Sequence, residues 1–254
     1  MSATVCTPVA PLFAEPRVAS AQVSQLVAGS GLQILEPRED WYRARGPDDY
    51  EGWIHRGYLS PAPGSSGCRG ADSDRVSLGC VTVVPGGRRR AMPLGALLSV
   101  DEQVESGEVV TAADVARRFP PMGNAIPLTA QRYFQGTSYL WGGVTPWGAD
   151  CSGLVQSTFA LHGIQLRRDA WQQAEQGVPG ADDPMESRAG DLLFFSDRID
   201  THITHVAIAL GERGLVHLAL GRGGYAEERL DDSGDPYVAK LLDRFVASRR
   251  VLAE

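Results

Sequence analysis

The chain has 254 residues, 43% hydrophobic and 22% charged, with a net charge of -7. That balance is ordinary for a globular protein, and the length suffices for one large domain or two to three small ones. The acidic excess offers no field to collect phosphates, which argues against a nucleic-acid partner. No apolar run approaches the roughly 20 residues that span a bilayer.

Residues 3–62 read as short strands with tight turns. Val5, Val9 and Leu12 begin an extended segment that Pro8 and Pro11 keep out of helix. Ser24–Leu26 and Leu32–Leu35 follow, then the alternating Trp41–Arg45, a Pro47-Asp48-Asp49 turn, and Tyr50–Ile54. Strands this short at this spacing suggest a small barrel, with Trp53 in its core. Pro61–Gly70 is a linker by composition. Residues 76–120 carry a weaker β pattern, Val76–Val84, Met92–Val100 and Glu108–Thr111, followed by a short helix, Ala112–Phe119. The basic run Arg88–Arg90 reads as a solvated loop.

A helix is expected over Asn124–Phe134, ending at Gly136, and another from Cys151, where Leu154, Thr158 and Leu161 form a stripe that Val155 and Phe159 widen. Asp150 is its N-cap candidate. Residues 170–176 form a second short helix. Strands follow at Gly190–Phe195, His205–Leu210 and Leu215–Ala219, and the tail returns through Tyr237 to Val251. Helices feeding an antiparallel sheet make an α+β plan. The domains are then 1–62, 63–122 (the linker plus a second, divergent barrel) and 123–254.

Four cysteines, Cys6, Cys68, Cys80 and Cys151, show no C-x-x-C pair. A Cys68–Cys80 bridge is conceivable, but spacing alone does not support it. Cys151 stands out. A thiol in the first turn of a helix meets unpaired N–H groups and a dipole that favour the thiolate, which suits a nucleophile and equally an ordinary buried thiol. A base decides between them. If the strand pair turns near Gly211, His205 and His217 share a face, opposite or diagonal, within reach of each other. One imidazole can take the thiol proton and the second can hold the first in its tautomer. His202 is a rival base whose flanks fit a loop. His55 and His162 read as surface residues, Trp147 as a core candidate, and Asp191 as a strand-entry turn residue.

Five pieces in order carry a resemblance. They are Tyr139-x-Trp141-Gly142-Gly143, Asp150-Cys151-Ser152-Gly153, Gly190-Asp191-Leu192, His205-Val206-Ala207-Ile208 and Val216-His217. Residues 124–250 resemble the NlpC-type peptidoglycan endopeptidases, which are papain-like cysteine peptidases. The order of strands through Gly52-Trp53-Ile54 resembles a bacterial SH3-like domain. The resemblance implies a papain-like catalytic domain, helices on an antiparallel sheet, behind SH3-like barrels. It implies hydrolysis of the γ-D-glutamyl–diamino acid bond of peptidoglycan stem peptides, with no metal or cofactor. It implies Cys151 as nucleophile, His205 as base, His217 as orienter, and Tyr139 as an oxyanion donor beside the Cys151 backbone N–H. Asp150, Ser152, Trp141 and Asp169 look like substrate contacts. SH3-like members resemble enzymes that require a free N-terminal L-Ala, and an ammonium in a closed pocket calls for carboxylates, for which Asp150 and Glu51 are the candidates.

Two features depart from the pattern. Arg168-Asp169 is followed by Ala170 and Trp171 rather than Ser, and no tyrosine occurs between Tyr58 and Tyr133. An inactive wall-fragment binding protein and a zinc site built from Cys151, His205 and His217 are the rival readings. The chain is expected to act as a monomer without membrane contact. MSATVCTPVAPLF lacks a basic n-region and an uninterrupted apolar stretch. The expectation is therefore a cytoplasmic protein, or an exported form already trimmed.

Overall fold

The computed structural model describes residues 1–60 and 74–252. The linker at Pro61–Gly70 and one partner of the conceivable Cys68–Cys80 bridge lie outside the described residues. The chain divides into two compact units, 1–118 with 141–143, and 119–140 with 144–254.

The first unit begins with β1 (Ser2–Val5), β2 (Val9–Phe13), β3 (Gln22–Val27), β4 (Gly31–Arg38), β5 (Trp41–Arg45), β6 (Glu51–His55) and β7 (Leu59–Ser60). They form one sheet in the order β3-β2-β6-β5-β4-β1-β7. Val5, Ala10, Leu12, Leu26, Leu32, Ala44 and Ile54 fill its core. The alternation along β6 sends Ile54 inward, fully buried, and leaves Trp53 only half-buried against Phe13 across the ladder. The sequence pattern had placed Trp53 inside; period-2 alternation fixes that neighbours face opposite ways but not which faces in.

A three-stranded sheet follows, β8 (Arg75–Val83), β9 (Arg89–Met92) and β10 (Gln103–Thr111), in the order β10-β8-β9, and then α1 (Ala112–Arg118). Cys80, Met92, Ala96 and Leu98 share one core with Ala28 and Val27 of the preceding sheet. Gly29 makes that approach possible, since a Cβ there would stand 2.4 Å from Leu97 Cβ. Arg88–Arg90 is not simply a solvated loop. Arg89 opens β9, and Arg90 is largely buried, paired with the buried Glu102 and donating to the Cys6 carbonyl. The inward-facing carboxylate supplied the reason to bury a cation.

The second unit holds α2 (Ala125–Phe134), β11 (Val144–Thr145), β12 (Gly148–Ala149), α3 (Cys151–Leu161), α4 (Ala170–Gln173), β13 (Val178–Pro179), β14 (Leu192–Phe195), β15 (His205–Gly211), β16 (Gly214–Ala219), β17 (Gly224–Arg229), α5 (Pro236–Asp243) and β18 (Phe245–Arg250). Six of the strands pair antiparallel in the order β13-β18-β14-β15-β16-β17. The α+β plan is the one the sequence called for; β17 and α5 were not resolved from it. All four residues of β14 are buried, so this strand is covered on both faces. Asp191, itself buried, ties its entry to β18 through a two-pronged pair with Arg250, both contacts 2.8 Å. His162 is buried rather than on the surface, with its ring nitrogens on the Pro120 carbonyl and the Thr129 hydroxyl.

Candidate active site

Two elements meet at the site. Asp150 has extended backbone angles and caps α3, its Oδ1 accepting from the Gly153 N–H at 2.8 Å. That stops the helix one residue before Cys151, so the thiol sits at the first helical position. The flanking Leu154, Val155, Phe159 and Leu161 are buried and fix the helix against the sheet, packing it on β15 and β16.

The β15–β16 hairpin turns through Glu212 and Arg213, both with positive φ, as a two-residue loop matched to strand twist requires. Ile208 faces Val216 in the ladder, so His205 and His217 fall on one face, diagonally offset. His205 Nε2 lies 2.9 Å from His217 Nδ1. His217 is fully buried and its other nitrogen lies 3.4 Å from Glu228 Oε1, on β17. Arg222 clasps Glu228 from the far side at 2.7 and 2.9 Å and also pairs with Asp235. The Tyr237 ring stands edge-on to His217 and beneath the Arg222 guanidinium. Neither Glu228 nor Arg222 was singled out from sequence. Glu228 sits in a charged strand, YAEER, that reads as surface.

Burial dominates the electrostatics. It pushes the Cys151 thiol up to about 12, with the Asp150 charge adding to the rise. The backbone N–H groups of Val206 and Ser152 and the Arg168 charge pull the other way without overcoming it. The Val206 contact puts the sulfur beside the first residues of β15, where His205 stands. Burial also lowers His205 well below its ordinary value, helped by His217 and Arg244. A helix terminus alone would favour thiolate; here the enclosed pair is neutral thiol and neutral imidazole. Tyr139, on the segment pairing with Ala149, is pushed up by burial, and by negative charge on Cys151 once it ionises and on Asp150, so its hydroxyl stays a donor. Burial also raises Glu228, but hydrogen bonds from His217 and Arg222 outweigh it and leave the carboxyl below its ordinary range.

The candidate substrate contacts are distributed differently. Asp150 is buried and takes both prongs of Arg168, at 3.0 and 2.7 Å, and Arg168 is itself fully buried. Ser152 is buried in the same network, donating to Asp150 at 3.2 Å and accepting from Arg168 at 2.8 Å. Asp169 caps α4 in a reciprocal box with Gln172. Trp141 is 65% exposed and Trp147, placed in the core by its pattern, is also exposed. Glu51, in the first unit, gives one oxygen to Arg43 and the other to Arg45. Each of the two carboxylates expected to meet an ammonium, Asp150 and Glu51, is paired with arginine within its own unit. His202 is exposed, its ring 6.0 Å from that of Trp171. Among the described residues, no group of three or more His, Cys, Asp or Glu is arranged to hold a metal ion.

Residues 136–237 match the family model described as the NlpC/P60 family, and residues 8–60 match the bacterial SH3 domain. A protein named dipeptidyl-peptidase 6 of Lysinibacillus sphaericus is 28% identical, over 97% of this chain and 98% of its own length. A gamma-D-glutamyl-L-lysine dipeptidyl-peptidase of Bacillus subtilis (strain 168) is 34% identical over 125 residues. That alignment takes in 44% of this chain and 42% of the relative, so the chain spans less than half of that protein. A crystal structure of an NlpC/P60 family protein from Bacillus cereus ATCC 10987 superposes with a TM-score of 0.81 at 16% identity, covering 100% of both chains. At that identity the likeness is one of fold: the α+β, papain-like plan behind an SH3 domain.

Proposed function

The chain belongs to the NlpC/P60 family, and on that premise we propose that it is a cysteine endopeptidase hydrolysing the γ-D-glutamyl–diamino acid bond of peptidoglycan stem peptides. One observation carries the reading. A thiol at a helix start receives the N–H of Val206, the residue that follows His205 in β15, and His205 is itself joined to His217 at 2.9 Å. The name of the B. subtilis relative, a gamma-D-glutamyl-L-lysine dipeptidyl-peptidase, supports the substrate class.

In this reading Cys151 Sγ attacks the γ-glutamyl carbonyl carbon as His205 takes the thiol proton. Because the resting pair is neutral, proton transfer accompanies attack rather than preceding it. The oxyanion is met by the Cys151 backbone N–H and the Tyr139 hydroxyl, donors whose strength rises in a site closed to water. His205 then returns the proton to the leaving amine, and a thioester remains on Cys151. Water, activated by the same imidazole, attacks the thioester carbon and releases the acid. His217 holds His205 in position throughout.

The test is purified protein against a panel of stem peptides, read by mass spectrometry, with Cys151→Ala as control. Cleavage between D-Glu and the diamino acid, lost in Cys151→Ala, supports the assignment. Binding without cleavage by the wild-type chain would put a passive wall-fragment binder in its place.

A further inference from the structure

We propose that Glu228 is a positioning residue for the candidate peptidase, setting through His217 which nitrogen of His205 is free to accept a proton. The proposal rests on the Cys151–His205 reading above and extends it by one layer.

An ionised carboxylate can only accept. Glu228 Oε1 faces His217 Nε2 at 3.4 Å while already accepting from Arg222 Nε at 2.7 Å. The favourable partner for it is therefore a protonated Nε2. A neutral His217 with its proton on Nε2 has a bare Nδ1. That bare Nδ1 lies 2.9 Å from His205 Nε2, which must then be the donor. His205 in turn is left with a bare Nδ1, the lone pair that takes the Cys151 proton.

The opposite arrangement inverts every step. A proton on His217 Nδ1 would point at His205 Nε2 and leave His217 Nε2 as a lone pair facing a carboxylate. His205 would carry its proton on Nδ1 and have none to receive. Two neutral imidazoles in contact do not choose between these chains of donors by themselves; the carboxylate at the end does. The setting suits that role. Glu228 is buried, and Arg222, anchored by Asp235 and by the Tyr237 face, holds it ionised without reaching the histidines.

The decisive measurement is the long-range proton–nitrogen NMR spectrum of the full chain labelled with ¹⁵N-histidine. It needs no substrate, so it stands or falls apart from the peptidase reading. In the wild type, His217 and His205 should both carry the proton on Nε2. A wild-type His217 protonated on Nδ1 overturns the proposal outright. In Glu228→Gln the carboxamide can donate as well as accept, so His217 should become a mixture of tautomers. On stem peptides kcat should fall about 10–100-fold while KM holds, with Glu228→Asp recovering part of the loss. An unchanged tautomer, or an unchanged kcat, in a folded Glu228→Gln would show that the carboxylate does not set the proton's place.

Discussion

His205 and His217, twelve positions apart in the chain, bring Nε2 and Nδ1 to 2.9 Å across a single hairpin. The contact needs nothing beyond antiparallel register and a two-residue turn. It predicts that removing His217 harms the reaction through His205 and not through binding. His217→Ala should lower kcat by roughly 10²–10⁴-fold, in the range of losses seen when the group orienting a catalytic histidine is disturbed. KM for the stem peptide should change little. Steady-state kinetics on the folded variant decide it, and a loss confined to KM would assign His217 to substrate contact.

Tyr139→Phe removes one hydroxyl and leaves the ring. If that hydroxyl meets the oxyanion, kcat falls by about 10²–10³, equivalent to roughly 2.7–4 kcal/mol of barrier. The folded stability should stay near that of the wild type. Full activity in the phenylalanine variant would leave the oxyanion to backbone donors.

The neutral resting pair predicts an unusual alkylation profile. A thiol raised from 9.0 to about 12 is protonated at neutral pH, and its thiolate fraction keeps growing as pH rises past 9.0. His205, lowered from 6.5, is already neutral and able to accept a proton below that value. Iodoacetamide labelling of Cys151 should therefore climb continuously through pH 9.0, while the acidic limb of kcat/KM lies below 6.5. A labelling rate that is flat across neutral pH would mean a preformed thiolate–imidazolium pair.

Arg168 and Asp150 form a buried pair beneath the thiol, 1% and 8% exposed at their side chains. Replacing only the cation, Arg168→Met, strands a buried carboxylate. It should cost about 3–5 kcal/mol of unfolding free energy, read as a shifted urea midpoint. A loss of activity with no such shift would instead place Asp150 in substrate recognition, as the sequence reading had it.

The parts of this fold that announced themselves did so through periodicity. The stripe from Leu154 to Leu161 marked the Cys151 helix and the alternation through β15 and β16 marked the histidine hairpin; that the two serve one site came from the resemblance, not from periodicity. Other residues answer to partners distant in the chain. His162 looks like an isolated polar residue until Pro120 and Thr129 meet it. Arg168 is buried because Asp150 and Ser152 wait for it eighteen and sixteen positions upstream. Glu228 follows two residues after Ala226 in a strand of exposed charge, and only the register of β16 and β17, His217 against Ala226, turns it toward the histidine. Local pattern carries no information about such pairings, because a charged side chain in a strand is consistent with either face.

One topological detail bears on how the molecule is made. The strand Phe245–Arg250 does not lie at an edge; it is inserted between Val178–Pro179 and Leu192–Phe195. A ribosome must therefore deliver the chain as far as Arg250 before the central ladder can zip shut. Until then Leu192–Phe195 has only the His205 strand beside it, and the sheet that carries the histidine pair stays open on that side.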